Sequence, residues 1–258
     1  MEEIVPNKIK SSISYRVIFI IISANVAAHY YGVLSKNDLF VYVFSIACPV
    51  TAGIASLIVS KGYSTSVTSK VFQRGFFCLG IALFFTATGD FIYFIYDTNN
   101  SYPSIADIFY FPFYPLVIAH LLLNIRFFKY DFPKVLLKKD RLDLIWLVLI
   151  PSAIFTFYIF LSDGLSYSVE TLLSDYYVAI VAISLSLNIY AVKIFKEGAL
   201  GKPWLLLLFG ILAFDVADVI YYHLESLNSY DALNPINMLW NIGYLLIFYS
   251  LVKHDKVI

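Results

Sequence analysis

Residues 203–224 read PWLLLLFGILAFDVADVIYYHL, a stretch without lysine or arginine that carries two carboxylates, Asp215 and Asp218. A helix that crosses a bilayer needs about 20 predominantly apolar residues, and this stretch is long enough. A carboxylate at that depth is costly, so it must face the interior of a bundle and find partners there, or be protonated. Seven further segments of the same kind flank it, at roughly 14–33, 39–59, 71–96, 104–127, 142–161, 172–194 and 234–252. The composition agrees: 60% of the chain is hydrophobic and 14% charged, where soluble chains carry about 45–50% and about 25%. The mean hydropathy is +0.77. The predicted fold class is all-α, a polytopic membrane helix bundle of about eight transmembrane helices. Residues 1–258 form a single membrane domain whose short connections leave no room for a soluble catalytic one.

The first segment has the basic flank of a signal peptide in Lys8, Lys10 and Arg16, but its apolar run continues to about Val33. That exceeds the apolar region of about 7–15 residues in a cleaved leader, so it is read as a span. Pro49, Pro112, Pro115 and Pro151 fall inside predicted spans. Neighbouring helices can satisfy the carbonyls they free, and kinks are expected there.

The charges sort by side. Basic residues gather at the N-terminus, around the second, fourth and sixth connections, and at the C-terminus, which together hold 17 of the 18 lysines and arginines. The odd-numbered connections hold only Lys36, beside Asp38, Asp97, Asp163, Glu170, Glu225 and Asp231. Cationic residues are retained on the cytoplasmic side, which predicts a cell-membrane protein with both termini in the cytoplasm. The 18 basic and 18 acidic residues cancel, so no nucleic-acid partner is expected. The expected partner is the lipid bilayer. Cys48 and Cys78 both fall inside apolar segments and are read as buried, unpaired thiols.

An internal repeat is legible. Residues 90–102, DFIYFIYDTNNSY, align without gaps on 218–230, DVIYYHLESLNSY, with six identities, among them Asp90 with Asp218 and Tyr93 with Tyr221. The expectation is two tandem four-helix repeats, about 14–127 and about 142–252. An even number of spans gives both halves the same orientation, related by an axis along the membrane normal.

Asp90 and Asp218 therefore occupy equivalent depths in the third and seventh spans, and no lysine or arginine shares that depth. Helical spacing places Tyr93 and Asp97 on one face with Asp90, and Tyr221 and Glu225 on one face with Asp218. The functional reading is a pair of acidic faces lining one outward-open pocket suited to a cation, a metal or a cationic ligand. The structural alternative is that tyrosine hydroxyls satisfy each carboxylate and pin the packing. Asp215, one turn deeper than Asp218, is favoured for packing. Asp107 follows Ser104 by three residues, the spacing of a capping box, and Asn234 before Pro235 gives the last span a similar start. His29 and His223 lie near the ends of their spans, on the acidic side. A metal site from His29, Asp90, Asp218 and His223 is conceivable, but no fixed ligand spacing supports it, and the sequence identifies no cofactor. Phosphate-loop, H-E-x-x-H and G-x-S-x-G motifs are absent from the chain.

At Gly89-Asp90 with Tyr93, at PSIADIFYFPFYPL (103–116), at Leu142-Asp143 and at ADVIY (217–221), the chain resembles a known family. It is the eight-helix membrane module that precedes the catalytic domains of some bacterial diguanylate cyclases, phosphodiesterases and sensor histidine kinases. The likeness covers about residues 75–250. It implies a sensory role, with Asp90, Asp107 and Asp218 at the acidic motif positions. Since no output domain follows the last span, signalling would run through a separate partner protein. A weaker similarity is to lysoplasmalogenase-type membrane hydrolases, which implies paired aspartates acting as acid and base. Their last-span signature is missing here, and Tyr244 fits it only in part. A ligand- or cation-sensing module is the leading expectation, a lipid hydrolase the alternative, and a small-ion or proton-coupled transporter the third.

Overall fold

The computed structural model of the chain describes residues 14–37, 39–63, 69–96, 103–131, 145–150, 152–154, 156–157, 168–196, 201–226, 229–231 and 233–255. Every regular element among them is helical. In chain order these are α1 (Tyr15–Ser35), α2 (Leu39–Gly62), α3 (Ser69–Tyr96), the short α4 (Asp107–Tyr110), α5 (Phe113–Asp131), a π-helical turn at Ile145–Leu149, α6 (Val169–Lys196), α7 (Gly201–Ser226) and α8 (Asn237–Asp255). Six helical segments are long and apolar enough to cross a membrane: Tyr15–Ser35, Leu39–Gly62, Lys70–Tyr96, Asp107–Arg126, Val169–Lys193 and Lys202–Glu225. Two of the eight expected spans are not among these six. The segment expected at 142–161 is described only in pieces, at 145–150, 152–154 and 156–157. The segment expected at 234–252 does form a helix, α8, but Asn237, Asn241, Lys253, His254 and Asp255 dilute its apolar character.

Six helices follow one another around the core, α2 against α3, α3 against α5, α5 against α6, α6 against α7, α7 against α8, and α8 back against α2. α1 lies outside this ring on α8 and α2, and the π-helical turn lies outside it on α6. Without a hydrophobic drive between helices in lipid, close approach and interhelical hydrogen bonds hold such a bundle. Both devices are present. α2 buries the small residues Ala52, Gly53, Ala55, Ser56 and Ser60. The Ser56 and Ser60 hydroxyls donate to the Phe76 and Gln73 carbonyls of α3, each at 2.7 Å. Asn188 of α6 donates to the Leu208 carbonyl of α7 at 3.0 Å, and Ser250 of α8 donates to the Pro203 carbonyl at 2.6 Å. At the tightest backbone-to-backbone approach among the described glycines, a methyl group on Gly210 would meet the Gly243 carbonyl oxygen at 2.7 Å, and one on Gly243 the Gly210 carbonyl at the same distance.

The prolines act as the sequence suggests in one place and not in another. Pro49 is carried inside an unbroken α2. At Pro112, which has no N–H to continue the ladder, the fourth span divides into α4 and α5. α1 ends in a left-handed residue, Lys36 (φ 51°), whose N–H caps the helix on Gly32 and Val33.

At the end of the bundle away from Asp90, aromatic rings close the core. Phe76 and Trp204 lie 5.3 Å apart between ring centres. His254 packs on both, and its Nε2 is hydrogen-bonded to the Tyr63 hydroxyl. His120 is fully buried beside them, its Nδ1 at 2.9 Å from the Gly75 carbonyl.

Candidate functional site

Asp90 lies six residues before the end of α3. The residue before it is glycine for a steric reason: a Cβ there would meet the Tyr110 ring at 2.4 Å. The missing side chain lets that ring lie against α3, and the Tyr110 hydroxyl donates to Asp90 at 2.7 Å. One turn later, across the break at Pro112, Tyr114 points to a different acid. Its hydroxyl donates to Asp218 of α7, which also accepts the Trp240 indole N–H of α8 at 2.7 Å.

Each carboxylate is held by its own donors. Asp218 is close enough for its charge to act on Asp90, and Tyr244 of α8 interacts with both while hydrogen-bonding with Thr86 of α3. The donors they accept are neutral phenols and an indole; no lysine or arginine among the described residues pairs with either. Two acids thus share one region of the bundle with hydrogen-bond donors and no countercharge, an arrangement that costs energy in a low-dielectric interior.

Around them stand aromatic rings. Tyr221 meets Tyr230 edge-on, with 4.7 Å between ring centres and a 90° angle. It meets Trp240 at 5.7 Å and 60°. Tyr93, 38% exposed, is within electrostatic reach of Tyr221 and Tyr230. Tyr230 lies between α7 and α8, where its hydroxyl donates to the Asn237 Oδ1 at 3.2 Å. Burial pushes its phenol up from the ordinary range, so it keeps its proton.

Not every expected site residue joins this group. Asp107 is tied off structurally. Its Oδ2 accepts the Ser104 N–H at 2.7 Å, as in a capping box, and its Oδ1 accepts the Tyr177 hydroxyl of α6 at 3.2 Å. Asp215 is fully buried and turned to α6, where Ser184 donates to its Oδ1 at 2.9 Å. Its Oδ2 makes no hydrogen bond of ordinary geometry, although the residue still interacts with Asn188 and Asp218 and with Tyr114. His29 is buried on α1 beside the Leu233 backbone, and neither ring nitrogen makes a hydrogen bond of ordinary geometry. His223 is exposed. No three residues among histidine, cysteine, aspartate and glutamate gather as a metal site among the described residues. Cys48 and Cys78 are unpaired.

Sequence reasoning found the acids and Tyr93 and Tyr221 but missed their donors, Tyr110, Tyr114 and Trp240. The available signal was two tyrosines four residues apart around a proline, at the same depth as the acids.

The fold and its apolar helices define a multi-pass α-helical membrane protein. No family model, curated protein or solved structure matches the chain.

Proposed function

We propose that this protein is a membrane module that binds a cation or cationic ligand between Asp90 and Asp218 and passes the bound state to a separate signalling partner. The observation that carries the reading is that two carboxylates of spanning helices, within electrostatic reach of each other, accept hydrogen bonds from neutral donors alone among the described residues. A cation arriving there meets paired negative charge in a setting where attraction is strong, and its arrival relieves the mutual repulsion of the acids.

The proposal includes eight spans as two tandem repeats, with the last predicted span and the segment around Ile145–Leu149 completing the set. Equivalent hydrogen bonds support it. With α3 and α7 offset by 128 residues and the following helices by 130, Tyr110 on Asp90 corresponds to Trp240 on Asp218. His120 on the Gly75 carbonyl corresponds to Ser250 on the Pro203 carbonyl. The Ser104 hydroxyl accepting the Ala106 N–H corresponds to Asn234 accepting the Ile236 N–H. The helix order around the ring is also unchanged when each half is exchanged for the other. With both termini cytoplasmic, the site opens toward the exterior.

The test is thermal unfolding of the purified protein in nanodiscs against a panel of inorganic and organic cations. Stabilisation by one class, lost in the double variant Asp90→Asn, Asp218→Asn, supports the reading. Stabilisation that survives the double variant, or none across the panel, rejects it. Turnover of a lysolipid, abolished by the same changes, would replace it with the hydrolase reading.

A further inference from the structure

We infer that α1 is an acid-released arm, detached from α8 when His29 takes a proton and free to swing about the turn at Lys36; the inference stands apart from the cation reading above. α1 lies outside the ring of helices and is the least buried of the six spanning segments. Its buried residues are two polar ones and a glycine, Asn25, His29 and Gly32. Its large apolar side chains, Phe19, Ile20 and Leu34 among them, are exposed. Lipid tails receive such side chains as well as a neighbouring helix does, so they give α1 no reason to stay on the bundle.

What holds the arm is polar. At its start the Ser14 N–H donates to the Tyr249 hydroxyl of α8 at 3.0 Å. Near its other end His29, 4% exposed, lies against the Leu233 backbone in the connection before α8. Neither ring nitrogen makes a hydrogen bond of ordinary geometry, and the Oδ1 of Asn25, one turn deeper, makes none either. A second proton on the ring would bring a charge and another donor into a seam that already leaves polar atoms unpaired. The surrounding elements offer little to balance it. On α8 no ionisable side chain precedes Tyr244, which is turned to Thr86. On α2 the ionisable groups at this end are Tyr42, in reach of Tyr230, and the deeper Cys48. In the connection before α8, Asp231 is exposed and its Oδ1 accepts the Leu233 N–H at 2.8 Å. Lys36, two turns along α1, adds like charge, and Asp38 lies outside the described residues.

Acid thus opposes docking, and leaving the seam relieves the buried charge. An imidazole in water takes its proton near pH 6.5, so docking is intact above that pH and lost as the pH falls below it. The arm bends where the chain turns into α2, at left-handed Lys36. At about 1.5 Å per residue the helix is about 30 Å long, so a hold lost near the turn becomes a large displacement at Ser14. With both termini cytoplasmic, as proposed above, acid outside the cell is read out inside it.

The test is the distance between nitroxide labels on Tyr15→Cys and Lys61→Cys, both exposed positions, measured by double electron–electron resonance in nanodiscs with Cys48 and Cys78 replaced by alanine. Spectra are compared on either side of the imidazole range, at about pH 8 and about pH 5. The distance is expected to be short and narrow at the higher pH and longer and broader at the lower. His29→Gln, neutral throughout, should keep the short distance at both. Tyr249→Phe, which removes the pin at the start of the arm, should move the midpoint of the change to higher pH. A distance that ignores pH in the parent, or a pH response that survives His29→Gln, overturns the inference. A midpoint unmoved by Tyr249→Phe overturns the swing of the arm about Lys36.

Discussion

Tyr114 donates its hydroxyl hydrogen to Asp218 across 104 residues of sequence, from the fourth predicted span to the seventh. This is the contact that ties the first half of the chain to the acid of the second. Hydrogen bonds to a charged group are worth about 1.5–3 kcal/mol. Tyr114→Phe is therefore expected to destabilise the protein by about that amount, and a double-mutant cycle with Asp218→Asn should recover a coupling of about 1 kcal/mol or more. Additive effects in thermal or denaturant unfolding would mean that the contact carries no energy.

Gly89 and Gly210 are tight for different reasons, and their alanine variants should differ. At Gly89 the obstacle is the Tyr110 ring, which can rotate away at the expense of its bond to Asp90. Gly89→Ala should thus lower cation affinity with a modest loss of stability. At Gly210 the obstacle is the Gly243 backbone, which has nowhere to go. Overpacking costs about 1–3 kcal/mol, so Gly210→Ala should lower the unfolding temperature while leaving the affinity of the remaining folded protein near that of the parent.

Asp107 holds a helix start and a strut to α6. Loss of a cap costs about 1 kcal/mol, so Asp107→Ala should destabilise by roughly that much without changing ligand affinity. A large drop in affinity with unchanged stability would move Asp107 into the site.

At the opposite end, Tyr63→Phe removes the hydroxyl that meets His254. A typical net hydrogen bond is worth about 0.5–1.5 kcal/mol, and a loss in that range is expected by denaturant unfolding. Cation binding at the far end should be unaffected.

Orientation is open to cysteine labelling with a membrane-impermeant maleimide on intact cells. Ser35, Lys61 and Ser229 are exposed, whereas native Cys48 is buried and Cys78 half-buried. Ser35→Cys and Ser229→Cys should react directly, and Lys61→Cys only after permeabilisation. The reverse pattern would invert the topology.

The spans that became helices were legible because a bilayer imposes a length and an apolarity that short-range sequence must meet. Asp90 and Asp218 were legible because each interrupts such a run without a nearby base. Their partners were not, because an interhelical donor leaves no periodic mark: Tyr110 and Trp240 look like any interfacial aromatic until α3 and α7 are placed. The correspondence between these two donors also escaped an ungapped comparison. Trp240 follows Asp218 by 22 residues whereas Tyr110 follows Asp90 by 20, so the offset shifts from 128 to 130 after the alignment of 90–102 on 218–230. Asp107 was readable as a cap from Ser104, but its bond to Tyr177 depends on how α6 packs.

The glycine crossings bear on how a bound ligand could be felt elsewhere. Gly53 of α2 abuts the Gly80 carbonyl of α3, and Gly210 and Gly243 lock α7 to α8. Backbones in that proximity cannot slide without collision, so each pair travels as one plank. Asp90 rides on one plank and Asp218 on the other, and drawing those acids together or apart would tilt the planks against each other along the α2–α8 boundary.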